Sequence, residues 1–101
     1  MTATASSDPT GHETNGSKGA FFISRGGWRV AEMTYSRGGK VAIIDHTQVE
    51  DSMQGTGAGR RLVEAAVQWA RQEQVKLLPL CPFARSVFEK TPEWADVLVQ
   101  R

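Results

Sequence analysis

Residues 54–59, QGTGAG, place three glycines in five positions directly before the amphipathic run RRLVEAAVQWARQ at residues 60–72. Apolar residues at helical spacing in that run predict a helix, and glycine weakens helices, so the glycines need another reason. The first turn of a helix has unpaired N–H groups and attracts anions, and glycines let the backbone approach a phosphate closely. The stretch therefore predicts either an anion-binding loop or a linker that needs glycine flexibility.

Two nucleotide-binding patterns do not fit this loop. The dinucleotide pattern G-x-G-x-x-G fails because the third position is Arg60 counting from Gly55, and Leu62 counting from Gly57. The P-loop pattern fails because no Gly-Lys-Ser/Thr follows. Neither nucleotide-binding fold is supported.

Composition narrows the class of protein. The chain has 101 residues, 40% of them apolar and 23% charged, which predicts one small domain of ordinary composition. A single cysteine excludes an internal disulfide and favours a cytoplasmic protein. The net charge of +1 argues against a nucleic-acid partner, and no apolar run approaches the roughly 20 residues of a membrane helix. Two distant histidines and one cysteine predict no metal site.

The chain divides near residue 19. Residues 1–19 contain no Val, Ile, Leu, Phe, Trp or Tyr, so they predict a disordered tail in which His12 is solvated and idle. Short apolar or alternating runs joined by glycine turns in residues 20–49 predict a three-stranded antiparallel meander. After the helix, residues 75–81 predict a strand that runs parallel to the third strand. Two shorter helices are predicted to follow it, and Thr91 is expected to cap the second of these helices. The fold class is therefore α+β, with a mixed, mostly antiparallel sheet of about four strands, one long helix and one or two short helices.

A third pattern fits the loop. Gln54-x-x-Gly57-x-Gly59, between a strand and a helix, matches the Q/R-x-x-G-x-G/A signature of GNAT acetyltransferases. Together with IDHTQV before it and LPLCPFARSVFEKTPEWADVL after it, the chain from residue 20 to residue 101 resembles the small GNAT-like N-acetyltransferase domain family. The resemblance implies an N-acetyltransferase that takes an acetyl group from acetyl-CoA and passes it to an amine by direct attack on the thioester.

The resemblance also implies the residues that bind coenzyme A. Backbone amides of the loop would hold the pyrophosphate. The strand before the loop would offer backbone groups to the pantetheine arm, at the point where the parallel strands splay. Arg60 and Arg61 could add positive charge near the phosphates or be ordinary surface residues. The implied set is Thr47, Val49, Gln54, Gly55, Thr56, Gly57, Ala58, Gly59, Arg60, Arg61 and Cys81.

Two positions depart from the larger family. Its N-x-x-A-x-x-x-Y pattern appears here with Cys81 in place of the asparagine and Phe88 in place of the tyrosine that often protonates the departing thiolate. Phe88 has no proton to give, so another acid, or departure of CoA as a thiolate, is needed.

Cys81 and His46 are the catalytic candidates. Cys81 is either a buried packing residue or a thiol activated by a helix N-terminus, which could accept an acyl group or contact CoA. His46 is either structural or a general base, with Glu50 and Asp51 as alternative bases. Two further functions stay open: a CoA- or acyl-CoA-binding module without turnover, and an interaction domain that has lost the ligand. The acceptor, a small molecule or a protein amine, is not identified by any residue pattern.

Overall fold

The computed structural model describes residues 10–99, in which five strands form one sheet and the helices follow the fourth and fifth strands. The elements are β1 (Thr10–Asn15), β2 (Lys18–Arg25), β3 (Trp28–Gly38), β4 (Val41–Val49), a 3-10 helix (Asp51–Met53), α1 (Ala58–Glu73), β5 (Lys76–Pro79), α2 (Pro82–Lys90) and a second 3-10 helix (Pro92–Val97). The strand order is β1-β2-β3-β4-β5, antiparallel throughout except for the parallel pair β4–β5. The predicted α+β class and the antiparallel meander are confirmed, with β1 as an additional strand.

Helix α1 packs one apolar stripe against the sheet. Its buried side chains include Leu62, Val63 and Val67, which belong to the same core cluster as Met33 and Ile23 of the sheet. Burying an aliphatic side chain of this size contributes about 1.5–3 kcal/mol, so this stripe is a main source of stability. Gln74 ends the helix in the left-handed region, and its N–H donates to the carbonyl of Ala70.

Strand β1 corrects the prediction of a disordered tail. Residues 10–19 form β1 and the start of β2, whereas residues 1–9 of the predicted tail lie outside the described residues. His12 is exposed, as predicted, but it is not idle, because its ring stacks on Phe21 with the centroids 4.1 Å apart. Its Nε2 also lies 2.6 Å from the hydroxyl of Tyr35. The apolar surface that orders this strand comes from its neighbours, so the composition of the segment itself does not reveal it.

The helix after α2 begins where predicted, with Thr91 as its N-cap residue and Pro92 in its first turn, but it differs from the prediction in two respects. Residues 92–97 form a 3-10 helix, and the side chain of Thr91 makes no capping hydrogen bond. Thr91 is buried, and its hydroxyl accepts a hydrogen bond from Nη1 of Arg60 at 2.9 Å. A hydroxyl held by α1 is directed away from the backbone N–H groups that a cap would satisfy.

Residues 10–99 contain neither a membrane-spanning helix nor a candidate metal-binding cluster. None of the helices there has the length and apolar character to cross a membrane. Over the same residues, the histidine, cysteine and acidic side chains nowhere group in threes as a metal ion would require.

Candidate functional site

The two parallel strands pair over only part of their length. Residues Val41 to Ile44 of β4 pair with Lys76 to Pro79 of β5, and the rest of β4 pairs with β3 alone. The N–H groups of Leu80 and Cys81 both donate to the carbonyl of Ile44, at 3.1 and 3.2 Å, and there the chain turns into α2. From residue 45 to residue 49, β4 therefore presents an open backbone edge, which we call the split.

Cys81 lies at the split. It is 5% exposed and is the N-cap residue of α2, and its side chain makes no capping hydrogen bond there. The thiol donates to the hydroxyl of Thr47 over 3.2 Å, which joins the start of α2 to the open edge of β4. The structure thus brings together two of the residues that the sequence assigned to the site.

The surroundings of Cys81 favour its thiolate. Burial raises the pKa of the thiol, but the hydrogen bond with the Thr47 hydroxyl and the nearby backbone N–H groups of Ala84, Phe83 and Thr47 favour the thiolate and together outweigh burial, so the pKa lies below its ordinary value. The N–H of Glu50 donates to Val30 of β3, and N–H groups alternate in direction along a strand, so the N–H of Thr47, three residues earlier, points into the split. A helix N-terminus and inward-pointing N–H groups are donors that stabilise a developing negative charge.

The glycine loop is held in a fixed conformation. Gly55 and Gly57 adopt left-handed φ values of 79° and 81°, and Gly57 is the residue at which α1 begins. Nε2 of Gln54 donates to the carbonyl of Val49 at 3.1 Å, and the hydroxyl of Thr56 donates to the carbonyl of Met53 at 2.6 Å. These bonds tie the loop to the end of β4, so it is not a free linker.

The loop forms one wall of a cleft of about 260 Å³ and α2 forms the other. The lining includes Val49 at the end of β4, so the cleft joins the loop to the open strand edge. Of the residues that the sequence proposed for coenzyme A, the cleft is lined by Val49, Gln54, Gly55, Gly57, Ala58, Gly59 and Arg60. The other four predicted residues do not line the cleft: Thr47 and Cys81 lie at the split, Thr56 is exposed and Arg61 is half-buried.

Arg60 is engaged with the C-terminal segment. Besides the bond to Thr91, its guanidinium lies over the ring of Trp94, 4.8 Å from the centroid. The side chain lines the cleft while it fastens α1 to the second 3-10 helix. The structure thus gives Arg60 a packing role that the sequence did not predict.

Gly59 is not required for its backbone conformation, in contrast to Gly55 and Gly57. A Cβ built on it would lie 2.4 Å from Cζ of Phe83, and its φ is not in the left-handed region. Gly59 is glycine because the ring of Phe83 lies against its backbone. Sequence reasoning missed Phe83, although its place two residues after Cys81 was a signal.

These features agree with comparisons to known proteins. The family described as GCN5-related N-acetyl-transferase matches residues 20–97 of the chain. The chain belongs to this family. The predicted recognition and the predicted enzyme class are therefore confirmed: it is a GCN5-related N-acetyltransferase.

Solved structures agree with this assignment. A GCN5-like protein from Staphylococcus aureus, solved by NMR, is 31% identical with a TM-score of 0.69, over 90% of this chain and 89% of its own. A ribosomal-protein-alanine N-acetyltransferase from Brucella melitensis biovar Abortus is 18% identical with a TM-score of 0.65, over 76% of this chain and 62% of its own. An aminoglycoside N-acetyltransferase in complex with CoA is 12% identical with a TM-score of 0.55, over 73% of this chain and 66% of its own. Among curated proteins, none matches the chain.

His46 of this acetyltransferase lies on the opposite face of the sheet from Cys81. It pairs with Thr34, and paired residues share a face, whereas the neighbouring Tyr35 faces Trp69 of α1. A register shift in β4 beside Tyr35 makes Asp45 the extra residue and directs His46 away from α1. The structure does not bring the two catalytic candidates together, and His46 is exposed.

Phe88 occupies the core at the position of the family's tyrosine. It is 5% exposed, and its ring meets that of Trp94 edge-on with the centroids 6.3 Å apart. The Phe88 side chain packs in the core and, unlike a tyrosine, has no proton to donate. The departure from the family pattern is thus accommodated by an apolar environment.

Proposed function

We propose that the chain transfers an acetyl group from acetyl-CoA to an amine by direct attack on the thioester. The observation that carries the proposal is that the glycine loop lines a cleft that reaches Val49, the last residue of the open edge of β4. One end of this arrangement offers helix N–H groups to a phosphate, and the other offers backbone donors beside Cys81. A protein of the same fold was solved with CoA bound, which supports the ligand.

The loop is the proposed pyrophosphate site. Backbone N–H groups of Gly55 and of residues 57–60 hold the phosphates, because Gly57 begins α1 without a side chain over the helix N-terminus. Gln54 contributes indirectly by fixing the loop to Val49. Arg60 adds positive charge at the edge of the cleft. The backbone N–H groups of Thr56 and Arg61 donate to the carbonyls of Met53 and Gly57, so neither of them holds a phosphate.

The split is the proposed acetyl site. The nitrogen lone pair of the amine attacks the thioester carbonyl, and the N–H of Thr47 stabilises the resulting oxyanion. When the carbon–sulfur bond breaks, CoA leaves as a thiolate that the donors at the start of α2 stabilise. Cys81 positions this sulfur and is not acylated. Before the attack, His46 or Glu50 takes a proton from the ammonium group of the acceptor, which frees the nitrogen lone pair. The nitrogen of the tetrahedral intermediate then loses its second proton to water.

A binding module without turnover is the second candidate. It is favoured by the burial of Phe88 at the position of the usual proton donor, and by the placement of His46 and Cys81 on opposite faces of β4. Both functions share the same CoA site and differ only in whether an acceptor reacts.

Release of free CoA from acetyl-CoA, measured with a panel of small amines and lysine peptides, tests the proposal. Amine-dependent release with formation of the acetylated amine supports transfer. Saturable CoA binding with no acetylated product from any amine favours the binding module, and no CoA binding contradicts both functions. The cytoplasmic location stays a prediction.

A further inference from the structure

We infer that Phe83 is the residue that holds the pantetheine arm of CoA, and that Gly59 sets the position of its ring. The inference rests on the proposed acetyl-CoA site and goes beyond it, because Phe83 belongs to neither motif that identified the site. Its ring is 41% exposed, unusual for a phenylalanine on a short helix, and it lines the cleft opposite the glycine loop.

Phe83 connects the two ends of the proposed site. Its backbone lies in the first turn of α2, two residues after Cys81, and its ring lies against Gly59 in the first turn of α1. A molecule with phosphates at the loop and a sulfur at the split therefore passes over this ring. The part of CoA between those groups is the pantetheine arm, whose alkyl and amide groups suit an aromatic surface.

One face of α2 continues this wall. Phe83, Ser86, Val87 and Lys90 all line the cleft and are spaced three, four and seven residues apart, as residues on one helical face are. Phe83 is the member of this stripe next to Cys81, and Lys90 is the member farthest from it. The apolar end of the stripe thus adjoins the thiol end of the site and the cationic end lies away from it.

Calorimetric titration with two ligands tests the inference. CoA carries the pantetheine arm, and adenosine 3′,5′-bisphosphate lacks it. Phe83→Ala should weaken CoA binding about tenfold, since about 50 Å² of apolar contact is lost, and should change bisphosphate binding less than about twofold. Leu80→Ala is the matched control, because Leu80 is 59% exposed and does not line the cleft, and it should bind both ligands like the parent.

A double-mutant cycle tests the role of Gly59. Gly59→Ala displaces the ring, so it should weaken CoA in the parent but add almost nothing in the Phe83→Ala chain. Thermal unfolding confirms that each variant is folded. Equal weakening of both ligands by Phe83→Ala, or no change with either, would overturn the inference and leave the proposed function standing. Failure of the parent to bind CoA would overturn both.

Discussion

Gly57 begins α1 in a backbone conformation that side chains rarely adopt, with φ at 81° and nothing within 4 Å of a Cβ built on it. Two requirements coincide at this residue, since the turn needs a left-handed residue and a phosphate needs an unobstructed helix N-terminus. A substitution that tests the anion site must therefore preserve the left-handed turn and add only a side chain that obstructs the helix N-terminus. Asparagine is suited to this because it tolerates the left-handed region better than other residues with side chains.

Gly57→Asn should weaken CoA binding by at least about tenfold, because the new side chain enters the cleft where the phosphates bind. The melting temperature should change little. Gly39→Asn is the control, since Gly39 has a φ of 61° and open space around it but lies in the turn between β3 and β4. Calorimetry with CoA provides the measurement. A Gly57→Asn chain that binds CoA like the parent shows that the loop is not the phosphate site.

Cys81→Ser should lower turnover by no more than about tenfold, less than the 10²–10⁴-fold that a general acid or base supplies. Serine keeps a hydroxyl for Thr47 but places a smaller atom at the split, so positioning suffers while direct transfer continues. Initial rates with both substrates varied should stay sequential in parent and variant. Ping-pong kinetics in the parent, with acetylated Cys81 found by mass spectrometry when no amine is present, contradict direct transfer.

At the scale of elements, β1 shows how a polar segment joins a sheet. His12 packs on Phe21 and edge-on against Trp69, and Glu13 pairs with Arg29 at 2.6 Å. Gly11 is required as well, since a Cβ built there would lie 2.4 Å from the ring of Phe22. The strand is ordered by the aromatic rings of β2, β3 and α1 and by its backbone bonds to β2.

The chain should lose stability as the pH falls, partly through His12. Burial lowers the pKa of His12 below 6.5, and Glu73 only partly offsets this. The unfolded chain then binds a proton at a higher pH than the folded chain, so stability declines as the pH falls from 6.5 through the folded pKa. Urea unfolding of the parent and His12→Phe at pH 7.5 and 5.5 should show a smaller decline in the variant. His46→Gln is the control and should decline like the parent; a decline in His12→Phe equal to the parent's contradicts the assignment.

Elements whose pattern is local were predictable, and those that depend on distant contacts were not. Helix α1 and strands β2 to β4 follow from apolar spacing and glycine turns, and the loop from its glycines. Strand β1 was missed because its apolar partners belong to other elements. The face of His46 was not predictable, because one extra residue in β4 changes which side the following residues face.

In the molecule as a whole, the proposed site lies along the open edge of β4. The family match covers residues 20–97, so the glycine loop, the split and α2 lie inside it and β1 lies outside. The sheet face opposite α1 carries His46 and Thr34, which places the proposed acceptor side across β4 from the proposed CoA side. The central claim is that CoA occupies the cleft and the split together.

Titration of the ¹⁵N-labelled chain with CoA, followed by amide chemical shifts, tests that claim most directly. We expect saturable binding with the largest shift changes at the loop (residues 55–60), at Thr47 and Val49, and at the start of α2 (residues 81–84). Strand β1 and its pairing with β2 should change little. Absence of saturable binding, or largest changes confined to β1 and β2, would show that CoA does not occupy the cleft and the split.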